Sequence, residues 1–260
     1  MTPNIYYSEW DQIIQNWYSN PNALNSLMDK GRSLSMDHVP EPYYGDMDNC
    51  SVVIINLNPG TGLCEQCWKD QNNTSIMVNE IKKSSYSCFA KSFPLLRGKG
   101  PEPSINWWKI RKAWIDRILK VKQVNSTKMP FAIELVPLHS KSFKIADTES
   151  YVKTMTSNHP NLDVIDAIEY AIGKSEAKMG LAIGKPIYEV LLKNGFSHVQ
   201  GNGISWPLKP DPAVNRFYCV IGKDSDPAIR ILCTWSYGSN SAPASSFEVH
   251  ERALLKVFFK

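Results

Sequence analysis

No stretch of the chain approaches the roughly eighteen uninterrupted apolar residues that a membrane span requires. The opening MTPNIYYSEWDQII has no basic region leading into an apolar core, so neither an anchor nor a secretory leader is expected. Cysteine is sparse. Six in 260 residues are too few for a disulfide-dense scaffold, and Cys219 in FYCVI and Cys233 in ILCTW sit in apolar runs where thiols are buried rather than bridged. Repeats and low-complexity segments are missing as well. These absences predict a soluble, cytoplasmic protein without disulfides. With 43% hydrophobic residues the chain can bury a full core, and its length suits one domain over 1–260, a helical cap at 1–45 on a core from 46 to 260.

Charge is present but unevenly spread. The net charge is +4, yet residues 1–50 carry seven acidic side chains against Lys30 and Arg32, while residues 82–128 carry twelve Lys or Arg against Glu102 and Asp116. A basic block of this kind fits a surface that meets phosphates. A solvated lysine-rich face is the plainer alternative.

The helical spacing of Trp10, Ile13, Ile14 and Trp17, the break at Pro21 and the stop at Gly31 predict two short N-terminal helices. PEPYYGD reads as a loop, and SVVIINL (51–57) as a buried strand that stops at Asn58-Pro59-Gly60. From Asn58 to about Ile105 no period is evident, and loops that long are usually functional. INWWKIRKAWIDRILKV is amphipathic, with Trp107, Trp114, Ile118 and Val121 on its apolar side. Further strands are expected at 131–137, 179–184 and 229–235, the last in a hairpin with NRFYCVI; helices are expected in DVIDAIEYAIGKSEAK, KPIYEVLLKNG and FEVHERALLKVFF. Strands alternating with helices predict an α/β fold, a three-layer α/β/α sandwich with a mostly parallel central sheet. Ligands then bind beyond the carboxyl ends of the strands, where Asn58-Pro59-Gly60 stands.

Four motifs in this order resemble the uracil-DNA glycosylase superfamily, and within it the mismatch-specific uracil/thymine glycosylases. Leu57-Asn58-Pro59-Gly60 is similar to a G-I-N-P-G motif, with Asn56 in place of the leading glycine. Asn106-Trp107-Trp108-Lys109 resembles N-x-F-W-K, Ile183-Gly184-Lys185-Pro186-Ile187-Tyr188 resembles L-G-K-x-A-Y, and Asn240-Ser241-Ala242-Pro243-Ala244-Ser245 stands where the superfamily has H-P-S-P-L-S or N-P-S-G-L-S. The first motif here has no carboxylate, and the last has neither the histidine nor the first proline. The resemblance covers residues 40–260. It implies a uracil-DNA glycosylase-like fold and hydrolysis of the N-glycosidic bond of a deaminated or mismatched base in duplex DNA, by a chain expected to act as a monomer without cofactor or metal. A catalytically weak or inactive nucleic-acid- or nucleotide-binding member of the same fold is the alternative.

A glycosylase must extrude the base, grip its polar edge and stabilise an oxocarbenium-like sugar while water attacks. Asn58 is the candidate catalytic residue: its amide could orient the water or the sugar, but it cannot act as a general base, so an asparagine enzyme should be slow. Its plainer role is to cap the turn. Pro59 and Gly60 fix that turn and let backbone N–H groups approach a ligand. Glu134 and His139, in IELVPLHS, flank the end of the second predicted strand, where the superfamily reads the base. A carboxylate in an apolar strand is either ligand-facing or bonded to a cation such as Arg111. With His139 it could instead serve a small-molecule enzyme as an acid/base pair. Asn240, Ser241, Pro243 and Ser245 are candidates for entering a groove, and Lys82, Lys83, Lys91, Arg97, Lys99, Lys109 and Lys185 for meeting the DNA backbone. Of the aromatics expected in loops (Trp68, Tyr86, Phe89, Phe93, Tyr237), one could stack on a base. Cys64 and Cys67 form one CxxC, which Cys50 and Cys88 would extend to four ligands; a single CxxC is weak, and no metal is expected.

Overall fold

The computed structural model describes residues 2–20, 38–57, 59, 78–100, 102–139, 145–200, 205–211, 216–236 and 241–259. The chain opens with α1 (Pro3–Ser19), which has proline in its first turn and buries Tyr6, Tyr7, Trp10 and Ile14. Then come β1 (Tyr43–Tyr44), β2 (Val53–Asn56), α2 (Tyr86–Lys91), α3 (Glu102–Val121), β3 (Phe131–Glu134), α4 (Ile145–Asn158), α5 (Val164–Lys174), β4 (Gly180–Ile183) and α6 (Lys185–Lys193). The chain continues through β5 (Ser197–His198), β6 (Leu208–Asp211), β7 (Arg216–Gly222), β8 (Arg230–Ser236) and α7 (Glu248–Phe258).

The strands form one mixed sheet in the order β1-β3-β2-β4-β8-β7-β5, with β6 also paired to β7. Its centre, β3-β2-β4-β8, is parallel, and these are the four strands expected at 51–57, 131–137, 179–184 and 229–235. Every residue of β2, β3 and β4 is buried, as is usual for the central strands of a parallel sheet. The chain leaves β2 for β3 on one side, then passes β2 again to reach β4 on the other. In sheets of this kind such a reversal is where ligands bind, beyond the carboxyl ends of the strands, here those of β2 and β4.

α5 packs on β2 and β3, α6 on β4 and β8, and α3 against α7. α1 lies against α2, and its buried side chains join the same core as the sheet. Among the described residues no helix is long and apolar enough to cross a membrane.

Several elements differ from the sequence expectation. The first N-terminal helix is α1, whereas the second falls on residues 21–37, outside those described. PEPYYGD contains a short strand, β1, antiparallel to β3. Neither α4 nor α2 was expected. α2 has only six residues, too few to establish a period, and is started by Ser85, whose hydroxyl accepts from the Cys88 N–H.

Gly45 lets the chain leave β1 beside β3: its φ is +90°, and a β-carbon there would lie 2.3 Å from the Pro130 carbonyl oxygen. Gly45→Ala therefore has to combine an unfavourable φ with a backbone clash. It should lose at least about 1–2 kcal/mol of unfolding free energy in a urea titration, and a loss within error of zero would show that this close approach does not constrain the chain.

Candidate functional site at the carboxyl ends of the parallel strands

Asn56 and Glu134 end β2 and β3 and are partners in register, so their side chains leave the sheet on the same face. Asn56 Nδ2 donates to Glu134 Oε1 at 2.8 Å. Glu134 is only 9% exposed, and among the described residues nothing hydrogen-bonds its Oε2. Burial pushes this carboxyl from its ordinary 4.5 up to about 8; the Asn56 hydrogen bond opposes the rise, the charge of Glu41 adds to it, and the charge of Arg111 opposes it. At neutral pH the group holds its proton. It is then a donor as well as an acceptor, which a carboxylate is not.

Glu41, which sequence reasoning passed over, completes the cluster. Its Oε1 lies 3.0 Å from His139 Nε2, and its Oε2 accepts from the Tyr44 hydroxyl at 2.8 Å. Both Glu41 and His139 are buried. The backbone fixes this arrangement, because Glu41 N donates to the Pro137 carbonyl at 2.8 Å and Glu134 N to the Pro42 carbonyl at 3.0 Å. His38 stacks on His139 with ring centroids 5.0 Å apart. The chain entering β1 is thereby fastened along the end of β3.

Arg111 reaches Glu134 through charge, while the hydrogen bond to that carboxyl comes from Asn56. The guanidinium lies 3.0 Å from the centre of the Trp107 ring. Burial pushes it down to about 9, against the pull of Glu134, so it remains charged at pH 7. The apolar stripe expected on α3 is altered accordingly. Arg111 is buried and Trp107 is 39% exposed, because a planar cation laid on an indole can go inside and leave the ring at the surface.

The 241–245 segment is held by a second cluster. Arg216 donates to Thr234 Oγ1 at 3.1 Å and to the Ser241 carbonyl at 3.0 Å. Arg117 donates to the Pro243 carbonyl at 2.9 Å, while its Nε meets Glu251 Oε2 at 2.8 Å. Glu251 is fully buried and also accepts from Trp114 Nε1 at 2.9 Å and from the Tyr218 hydroxyl at 3.1 Å. Ser241 and Ser245 are exposed and Pro243 is buried.

The expected residues thus separate into groups. Glu134 and His139 come together around Glu41; Ser241, Pro243 and Ser245 belong to the arginine-tethered segment; Pro59 is described, whereas Asn58, Gly60, Asn240, Cys64, Cys67, Trp68 and Tyr237 lie outside the described residues. Among the basic candidates, Lys83, Lys99 and Lys109 are exposed. Lys82 and Lys91 lie 5.3 Å and 4.3 Å over the rings of Tyr18 and Tyr7 in α1. Arg97 Nε donates to the Ser92 carbonyl at 2.6 Å, and Lys185 pairs with Glu189 at 3.2 Å. Tyr86 and Phe89 belong to α2 and Phe93 follows it in the connecting segment; all three pack around Tyr44, with Phe93 edge-on to Trp108. Cys50 is buried, Cys88 is exposed, and both are free thiols. Among the described residues no group of three or more His, Cys, Asp or Glu is arranged to hold a metal.

Compared with known families, curated proteins and solved structures, the chain matches none.

Between pH 4.5 and 8 folded Glu134 keeps a proton that the unfolded chain has released. Stability linked to this group is complete below that window and declines as pH rises through it. Glu134→Gln has no such proton to lose. Urea titrations at pH 5 and pH 8 should show the wild type losing more unfolding free energy than Glu134→Gln, and equal losses would mean that Glu134 is ionised throughout.

Proposed function

We propose that the chain is a uracil-DNA glycosylase-like protein that receives an extruded base at the carboxyl edge of its sheet and slowly hydrolyses the N-glycosidic bond. The observation that carries this reading is the buried Asn56–Glu134 pair, with Glu134 Oε2 unmatched among the described residues. A deaminated base presents carbonyl oxygens that need donors once they leave water, and a protonated Glu134 supplies one where an ionised carboxylate would repel them. Asn58, two residues beyond Asn56, has the role of orienting water or the sugar through its amide. Pro59 and Gly60 bring backbone donors close, and the exposed Ser241 and Ser245 face the nucleic acid from a segment anchored at the buried Pro243. The exposed Lys83, Lys99 and Lys109 meet the phosphates. The three-layer α/β/α arrangement of that superfamily is part of the same proposal, supported by the alternation of strands with helices and by the reversal between β2 and β4.

A second reading is favoured by the 3.0 Å contact between Glu41 and His139. A histidine oriented by a carboxylate is suited to acid/base chemistry on a small molecule.

Duplexes carrying uracil, hypoxanthine, xanthine or a G·T mismatch test the first reading. Slow base release is expected, and Asn58→Ala should lower its rate on the order of a hundredfold or more while leaving DNA affinity intact, since the interaction belongs to the transition state. Protein that binds DNA in a salt-dependent way but releases no base is a binding module. Protein that ignores DNA leaves the acid/base reading.

A further inference from the structure

The outer side of α3 carries a surface that the strand-end cluster does not use. Trp107 and Ile110 are 39% and 60% exposed, and residues three apart on a helix are neighbours. They stand toward the end of α3 that begins beyond the carboxyl edge of the sheet. Arg117, seven residues past Ile110, falls on the same side of the helix, and it holds the Pro243 carbonyl at 2.9 Å. Ile110 and the anchor of the 241–245 segment therefore share one side of α3, about two turns apart, with Trp107 on the adjoining strip.

Charge says what this surface attracts. Of the twelve basic side chains in residues 82–128, Arg111 is buried and Lys112, Arg117 and Lys128 are paired with Asp116, Glu251 and Glu176, while Lys109, next to Ile110, and Lys120 are exposed on α3 itself and Lys83 and Lys99 are exposed just before it. A polyanion is drawn here, whereas a second copy of this basic chain is repelled. The ring itself narrows the choice. Arg111 lies 3.0 Å from the centre of the Trp107 ring, and a cation on one side draws π density away from the other, disfavouring a lysine or arginine from a protein partner. A neutral planar group suits the exposed side.

We propose that Trp107 and Ile110, beside the 241–245 segment, form a landing surface for an unpaired nucleic-acid strand, one base of which stacks on the Trp107 indole. This rests on the nucleic-acid reading above but concerns a surface outside the strand-end cluster. The strand's phosphates meet the basic block, and its bases meet the ring and Ile110. Affinity then has a salt-sensitive part from the charges and a salt-insensitive part from stacking.

The test is fluorescence anisotropy of labelled oligo-dT with the full chain at about 50 to 200 mM salt. Trp107→Ala should weaken binding roughly tenfold at each salt concentration, with the slope of log affinity against log salt unchanged because no phosphate contact is lost. Trp107→Phe should retain most of the affinity. Ile110→Glu, at a site too exposed to endanger the fold, should weaken binding independently. Wild-type affinity in both Trp107→Ala and Ile110→Glu would overturn the proposal while leaving base release from damaged duplexes, and so the reading of the strand-end cluster, untouched. Wild-type protein that binds polyglutamate as tightly as oligo-dT would also overturn it, and wild-type protein that binds no nucleic acid would remove both.

Discussion

Burial of Glu134 at the end of β3 is the constraint around which the carboxyl edge of the sheet is organised. A strand whose every residue is buried can hold an ionised carboxylate only if charges and donors surround it. Glu134 has one amide partner, Asn56, and a charged guanidinium reaching it from Arg111. With Glu41 adding negative charge nearby, the inexpensive solution is to keep the proton. The parallel register of β2 and β3 sets Asn56 beside it, and the fastening of residues 41 and 42 to the end of β3 brings up Glu41 with His139.

The most deeply buried carboxylate of the described residues meets the same cost in the opposite way. Glu251 is surrounded by Trp114, Arg117 and Tyr218, all of which donate to it. Donors have been assembled around Glu251 until little is left over, which is how a group serving the fold is treated. Glu134 retains an oxygen with no partner among the described residues. The difference between the two environments, more than the burial they share, directs attention to the strand ends.

The central sheet was legible because four apolar runs, separated by helical periods, leave few arrangements for a chain of this length. The short pieces were not: two residues of β1 and six of α2 cannot display a period. The site was half legible. Glu134 stood out as a charge within an apolar strand, and His139 followed it. Glu41 gave no local sign, since a glutamate between prolines looks like any loop residue until β1 is docked beside β3. Asn56 was visible only as a departure from the glycine of the motif it resembles, and that departure is the residue that holds Glu134. Arg111 was recognised as an interruption of its helix, but its rest against Trp107 depends on the turn of α3 and on no single residue type.

The double hold on the 241–245 segment, by Arg117 from α3 and Arg216 from β7, has a consequence for encounter. A loop that orders only on contact gives up conformational freedom at that moment and weakens the complex accordingly. Here the ordering is completed during folding, by the same two arginines that meet Glu251 and Thr234. Whatever meets Ser241 and Ser245 meets a shape already set, so on this side of the molecule discrimination between partners takes place by fit at first contact rather than by rearrangement afterwards.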